Sequence, residues 1–374
     1  MTEPRNDIIL DGVKIQWYAD RVRAWERGER IAPVTIDLSL LPIDNCLYAC
    51  TYCYSKRFQR NQGYPITRKH ITDFIDDAAE IGVKGVTLCS DGDSAHHPDF
   101  AYFCKYATEK GLAVGVASNS LVLKERLLME VLPHLTFLRV NISAGEPKRY
   151  AEIMGVPEDY FHKVCRNISS AMRIKKQLGL KVTIGMQMVT MPQFADQVIP
   201  LAELALKLMP CYLVYKHCSD DLEGGLGIDY SDYPDLHPLL KQVEAMSTPQ
   251  TQISVKWNKL DAGRKRSYKQ CYAPPFQLQM SGSGLVAPCG MMFANEFKEW
   301  HLGNITQTRL KEIWESNQYW EKMERLASTK FDAPAYCAPL CLQDGCNIAL
   351  DQHVKGEVSL YGDPGPEPQH IEFL

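Results

Sequence analysis

From residue 33 the chain alternates short apolar, β-branched runs with longer stretches whose apolar positions recur every three to four residues. The short runs at 34–38, 85–90, 112–117, 137–142, 182–189 and 212–215 predict strands. Between the first two, Ile71, Phe74, Ile75, Ala78 and Ala79 fall at i, i+3, i+4, i+7 and i+8 and predict a helix over 66–81. Comparable helical stretches occupy about 98–110, 121–132, 157–178 and 194–208. Six β/α repeats in a row define an α/β fold with parallel pairing through right-handed crossovers. Periodicity leaves open whether the six units close as a partial (β/α)6 barrel or form an open sheet. In either case the chemistry belongs where the C-terminal ends of the strands meet their loops.

After about residue 220 the rhythm breaks. The Gly- and Asp-rich stretch DDLEGGLGIDYSDYPD reads as a loop, followed by a helix near 235–246 and a short strand near 253–257. From Cys271 onward small loops and cysteines dominate, with a hairpin around Ser281–Gly284 and one amphipathic helix over about 308–326. The last residues, GDPGPEPQHIEFL, carry three prolines and read as extended or loosely docked. The resulting division is an N-terminal extension (1–32), a β/α domain (33–220), a connecting segment (221–265), a small cysteine-rich α+β domain (266–350) and a tail (351–374).

Composition changes this picture at three points. A net charge of −4 gives no overall field for a polyanion, so nucleic acid is disfavoured, although a local basic face remains open. No uninterrupted apolar run approaches the roughly 18 residues of a membrane span, and the N-terminus lacks the basic and apolar regions of a signal peptide. A cytoplasmic, reducing location is expected, so the thirteen cysteines point to metal or redox chemistry rather than to disulfides. Five of them, Cys89, Cys104, Cys165, Cys211 and Cys218, are solitary and read as packing residues. The other eight fall into two sets.

The first set, Cys46, Cys50 and Cys53, follows directly on the first strand with spacing C-x3-C-x2-C. Three thiolates can cover one face of a metal or iron–sulfur centre, with the fourth position open or filled from elsewhere; His70 and Cys89 are the nearest candidates. This motif, with an aromatic before its last cysteine and in the loop after the first strand of a repeating β/α domain, resembles the radical S-adenosylmethionine (radical SAM) superfamily. The resemblance implies a 4Fe-4S cluster on Cys46, Cys50 and Cys53 whose open iron chelates S-adenosylmethionine. It also implies reductive cleavage to a 5′-deoxyadenosyl radical that abstracts a hydrogen atom, and a reducing partner such as flavodoxin or ferredoxin. A zinc knuckle is the alternative.

Further positions follow from the same resemblance. Tyr52 would lie beside the adenine. Where the superfamily commonly has Gly-Gly-Glu-Pro, this chain has Asp91-Gly92-Asp93-Ser94, so Gly92 and Asp93 would hold the methionine amino group and Asp91 replaces a glycine. Ser118 and Asn119 after the third strand, Asn141 and Ser143 after the fourth, and Gln187 within Gly185–Val189 of the fifth are the remaining cofactor contacts implied. Lys216 and His217 after the sixth strand are the candidate catalytic or substrate-contacting residues, with Cys218, Tyr54 and Lys56 nearby.

The second set is Cys271, Cys289, Cys337, Cys341 and Cys346. The pattern C-x12-G-x4-C from Cys271 through Gly284 to Cys289, followed by Gly303-Asn304-Ile305 and LKEIW, resembles the start of a SPASM/twitch extension. A full SPASM domain supplies seven cysteines, and this chain has five. The resemblance therefore implies one auxiliary 4Fe-4S cluster on Cys271, Cys289 and two of the remaining three. Two clusters, or a structural zinc, are the alternatives.

An auxiliary cluster suits an oxidation or an anchored substrate. Three substrate classes follow: a small molecule such as a sugar, cyclitol or nucleoside; a peptide or protein; and a base in nucleic acid. The small molecule is preferred, because only about 32 residues precede the first strand, too few for the leader-peptide domain many peptide-modifying relatives carry. An iron–sulfur electron carrier is the non-enzymatic alternative, and it would not need the S-adenosylmethionine-binding strand ends.

Overall fold

The computed structural model describes residues 12–57, 65–262 and 265–374. Six parallel strands form in the expected places: β1 (Thr35–Leu38), β2 (Gly85–Leu88), β3 (Ala113–Ser118), β4 (Phe137–Asn141), β5 (Thr183–Thr190) and β6 (Tyr212–His217). They lie in sequence order, each bonded to the next. The sheet is larger than six strands. Beyond β6 it gains β7 (Gln252–Val255), and beyond β1 it gains β8 (Gln277–Met280), both parallel to their neighbours. Two short antiparallel strands, β9 (Leu285–Ala287) and β10 (Gly303–Asn304), complete ten. β7 and β8 do not bond, so the sheet is open there. It is nonetheless curved, because side chains from β1, β4, β6 and β8 line one cavity.

The side-chain alternation explains the curvature. Ile36, Leu38, Val86, Leu88, Leu138, Val140, Leu278 and Met280 point outward into one continuous apolar core beneath the helices. The alternate positions run through Gln279, Asp37, Thr87, Gly115 and Phe137, which the register places in one row. These strands are polar inside and apolar outside, since both faces are covered but only the outer one packs on helices. The floor of the interior is aromatic. A Cβ on Gly115 would fall 2.3 Å from the Phe137 ring, and one on Gly185 would fall 2.1 Å from the Tyr212 ring, so the two glycines make room for the rings.

The helices are α1 (Ala19–Glu26), α2 (Arg68–Ile81), α3 (Phe100–Glu109), α4 (Glu125–Val131), α5 (Pro147–Met154), α6 (Asp159–Leu178), α7 (Val198–Leu208), α8 (His237–Glu244), α9 (Trp257–Ala262), α10 (Leu310–Glu315), α11 (Asn317–Leu326), α12 (Ala333–Tyr336) and α13 (Asp344–Val354). The helix expected over 308–326 is two helices. Ser316 is extended (ψ 143°) and caps the second helix by accepting from the Tyr319 N–H at 3.2 Å. No helix among the described residues is long and apolar enough to cross a membrane.

The tail is not loosely held. Lys14 Nζ donates to the carbonyls of His370 (2.8 Å) and Phe373 (2.9 Å), and Thr35 Oγ1 donates to that of Glu372 at 2.7 Å. Phe373 is buried edge-on against Phe137, with ring centroids 5.0 Å apart, and closes the sheet's N-terminal end. A second small core joins the N-terminal segment (Ile15, Val22, Ile31) to Phe276, Cys346 and Leu350.

Candidate functional site

Cys46, Cys50 and Cys53 stand in the loop after β1 and line one cleft of about 1050 Å3 at the C-terminal ends of the strands. Burial pushes the Cys50 thiol up to about 12, with Cys53 and Cys46 adding to the shift, and burial pushes Cys46 up in the same direction. The thiols are free of disulfides. Among the described residues, no three His, Cys, Asp or Glu side chains gather tightly enough for a single metal ion. The three thiols line the edge of a cleft with room for a multi-iron cluster. His70, a candidate fourth ligand, instead completes the N-terminal capping box of α2. Cys89 does line the cleft.

Tyr52, Gly92, Asp93, Ser118, Asn119, Asn141 and Gln187 line the same cleft. Asp93 is buried and binds its own neighbourhood together. Its Oδ2 accepts from Ser118 Oγ (2.9 Å) and the Asn119 N–H (2.8 Å), and its Oδ1 from the Ala95 N–H (3.1 Å). A carboxylate has about four lone-pair sites, so capacity remains for an ammonium group. A Cβ on Gly92, at φ +33°, would lie 2.2 Å from the Leu41 carbonyl, which fixes glycine there. Asp91, where the family has glycine, accepts from the Gly282 N–H at 2.7 Å and so fastens the end of β2 to the β8–β9 hairpin. Gln187 Nε2 donates to Asn141 Oδ1 at 2.8 Å. Ser143 is buried off the cleft, where it donates to the Tyr52 hydroxyl (3.0 Å) and positions that ring.

A second chamber of about 870 Å3 continues from the first. Lys216 and His217 line both. Lys216 is the last inward position of β6; burial, with Arg139 and Lys259 beside it, lowers its ammonium to about 8. His217 is held well below its usual value by burial, and its Nδ1 has no hydrogen-bond partner among the described residues. Tyr54 also lines both cavities, whereas Lys56 turns away and donates to the Tyr48 carbonyl. Arg139, Asp37, Gln279 and Lys259 complete the chamber and were not singled out from the sequence. The signal for Asp37, Arg139 and Gln279 was the polar alternation in TIDL, FLRVN and QLQM; Lys259, on α9, had none.

The far wall of the chamber reaches Gly290 and Leu342, each one residue from a cysteine of the second set. Cys271, Cys289, Cys337 and Cys341 line a third cavity, which Leu342 shares. Burial pushes the Cys337 thiol up to about 12, with Cys341 adding to the shift. Asn347 Nδ2 points at the sulfurs of Cys271 (3.7 Å) and Cys341 (3.6 Å), while its Oδ1 accepts from the N–H groups of Tyr272 and Ala273. Cys346 is not brought to this cavity. One turn of α13 away from Leu350, it packs in the second core with Ile15 and Phe276.

Comparison with known proteins agrees with this arrangement. Residues 40–205 match the model of the radical SAM superfamily, and 271–343 match SPASM, an iron-sulfur cluster-binding domain. The chain is 21% identical to the tungsten-containing aldehyde ferredoxin oxidoreductase cofactor-modifying protein of Pyrococcus furiosus, over 81% of this chain and 86% of that protein. It is 22% identical to the AdoMet-dependent heme synthase of Methanosarcina barkeri, over 74% and 81% of the two chains. In fold it is similar to Streptococcus suis SuiB bound to S-adenosylmethionine, with TM-score 0.62 and 16% identity over 96% of this chain and 82% of SuiB. The two matched domains imply 4Fe-4S clusters and S-adenosylmethionine as cofactors. The chain is accordingly a radical SAM superfamily enzyme with a C-terminal SPASM iron–sulfur domain.

Proposed function

We propose that the enzyme abstracts a hydrogen atom from a small molecule held in the chamber between the two cysteine-lined cavities, for an oxidation or rearrangement. The observation that carries this reading is the chamber itself, walled by the strand ends on one side and by Gly290 and Leu342 on the other. Cys46, Cys50 and Cys53 would hold the cluster that binds S-adenosylmethionine, and Cys271, Cys289, Cys337 and Cys341 the auxiliary one. Once bound, these groups would supply the reductive cleavage of S-adenosylmethionine, given an electron from a flavodoxin- or ferredoxin-type donor. The chain's own residues do the rest. Asp93 and Gly92, at the end of β2, would receive the methionine amino group, and Ser143 fixes the Tyr52 ring that would lie beside the adenine. Phe137 and Tyr212 fill the space left by Gly115 and Gly185, and Phe373 backs Phe137. His217, whose buried Nδ1 has no hydrogen-bond partner among the described residues, offers a polar contact to the substrate. The names of the curated relatives support a small substrate, since they include a heme synthase and probable GTP 3′,8-cyclases. A peptide is the alternative, as SuiB has been solved with its precursor peptide.

Dithionite-reduced, anaerobically reconstituted enzyme should convert S-adenosylmethionine to 5′-deoxyadenosine, and Cys53→Ala should abolish this. Iron should fall from about eight to about four per chain in Cys53→Ala and in Cys341→Ser, and stay near eight in Cys346→Ser. No 5′-deoxyadenosine from the wild type, or equal iron loss in Cys346→Ser, contradicts the assignment. Deuterium should enter 5′-deoxyadenosine from an ultrafiltered, deuterated metabolite pool; transfer from the retained protein fraction alone would select a peptide instead.

A further inference from the structure

Arg139 and Lys216, both partly buried, line the chamber and the cleft beside it, and neither has a hydrogen-bond acceptor or a carboxylate at ion-pair distance among the described residues. Arg139 Nε is buried and unpartnered. Lys259, from α9, enters the same space with its Nζ 3.5 Å from the Leu342 carbonyl, and Lys256 lines it too. Two carboxyls face these cations. Asp91 is engaged by the Gly282 N–H at 2.7 Å, and Asp37 by Gln277 Nε2 at 3.0 Å. Burial pushes the Asp37 carboxyl up, toward its neutral form. Arg139 and Lys216 have no carboxylate at ion-pair distance among the described residues, so holding them desolvated costs stability, and a ligand that brings negative charge relieves that cost. Gln187, Gln279 and Ser90 offer neutral hydrogen-bonding groups on the same walls.

We propose that the chamber binds an anionic group of the substrate, a phosphate or a carboxylate, through Arg139, Lys216 and Lys259; this rests on the radical reaction proposed above. The carboxylate of S-adenosylmethionine is a rival source of charge, but its position speaks against it. Arg139 and Lys216 line the cleft of Cys46, Cys50 and Cys53 as well as the chamber, but Lys256 and Lys259 line the chamber alone, so the cationic wall continues beyond that cleft.

The test is calorimetric titration of reconstituted, S-adenosylmethionine-loaded enzyme with pyrophosphate and, separately, with succinate. Saturable binding of at least one is expected, weakening as salt rises, and the probe that binds tells phosphate from carboxylate. Lys216→Met and Lys259→Met should bind that probe at least tenfold more weakly, with a smaller loss of affinity for S-adenosylmethionine. Lys259→Arg should restore binding, and Lys322→Met, on α11, should match the wild type. The proposal is overturned if neither anion binds, if both methionine variants bind like the wild type, or if they lose S-adenosylmethionine affinity by the same factor. Intact 5′-deoxyadenosine formation alongside a silent titration rejects the anion chamber alone. Anion binding without cleavage rejects the radical reading and leaves the chamber standing.

Discussion

Lys216 carries its charge into a half-buried position beside two other cations, Arg139 and Lys259, and this sets how stability depends on pH. Its ammonium titrates near 8 in the folded chain against 10.5 when exposed. Below pH 8 both states are protonated and the folded state bears the full cost of the buried charge. Between 8 and 10.5 the folded state releases the proton first, so this cost fades as pH rises. Lys216→Met should therefore raise the melting temperature of the ligand-free enzyme most at pH 7, and the gain should shrink toward pH 10. A gain constant across that window would show that charge burial is not its source. At this scale the sequence was most informative where chemistry depends on local spacing. Cys46, Cys50 and Cys53 lie within eight residues, and all three reach one cleft. Arg139 and Lys259 were hidden because 120 positions separate them and only the curved sheet brings them together. The choice proposed among the five cysteines rests on an orientation that spacing does not carry: α13 turns Asn347 toward the sulfurs of Cys271 and Cys341 and packs Cys346 in the second core.

Among the elements, the six strands and most helices between them were legible because each has a continuous 2- or 3.6-residue period over a covered face; α5, between β4 and β5, was not expected. β7 and β8 were seen only as local strands. Their membership of the main sheet depends on pairing with β6 and β1, and nothing local encodes a pairing between strands so distant in the chain. The break at Ser316 was masked because the apolar period continues through LKEIWESNQYWEKMERL. A serine whose hydroxyl takes the N3 amide can start a new helix there without disturbing that pattern. Ser316→Ala should cost about 1 kcal/mol, read as a lower urea midpoint with an unchanged m-value; an unchanged midpoint would mean that the cap adds nothing.

Across the whole molecule, the segment with the weakest sequence signal holds the base of the sheet. The proline-rich tail has no periodicity, yet Phe373 closes the sheet's lower end against Phe137 and its backbone is held by Lys14 and Thr35. Phe373→Ala should destabilise the fold by about 3 kcal/mol, the range for a buried aromatic truncation, measured by denaturant unfolding. A loss below about 1 kcal/mol would mean that the tail merely rests on the surface. The Asp91–Gly282 bond joins the end of β2 to the SPASM side of the molecule, so the two cysteine-lined cavities share one frame. Strand alternation has a further consequence for descent with modification. Folding strength sits on the outward rows, such as Ile36, Leu38, Leu138, Val140 and Leu278, while the inward rows hold Asp37, Arg139 and Gln279. Inward positions can be exchanged without emptying the core, so a lineage can trade one substrate for another while inheriting the same scaffold intact.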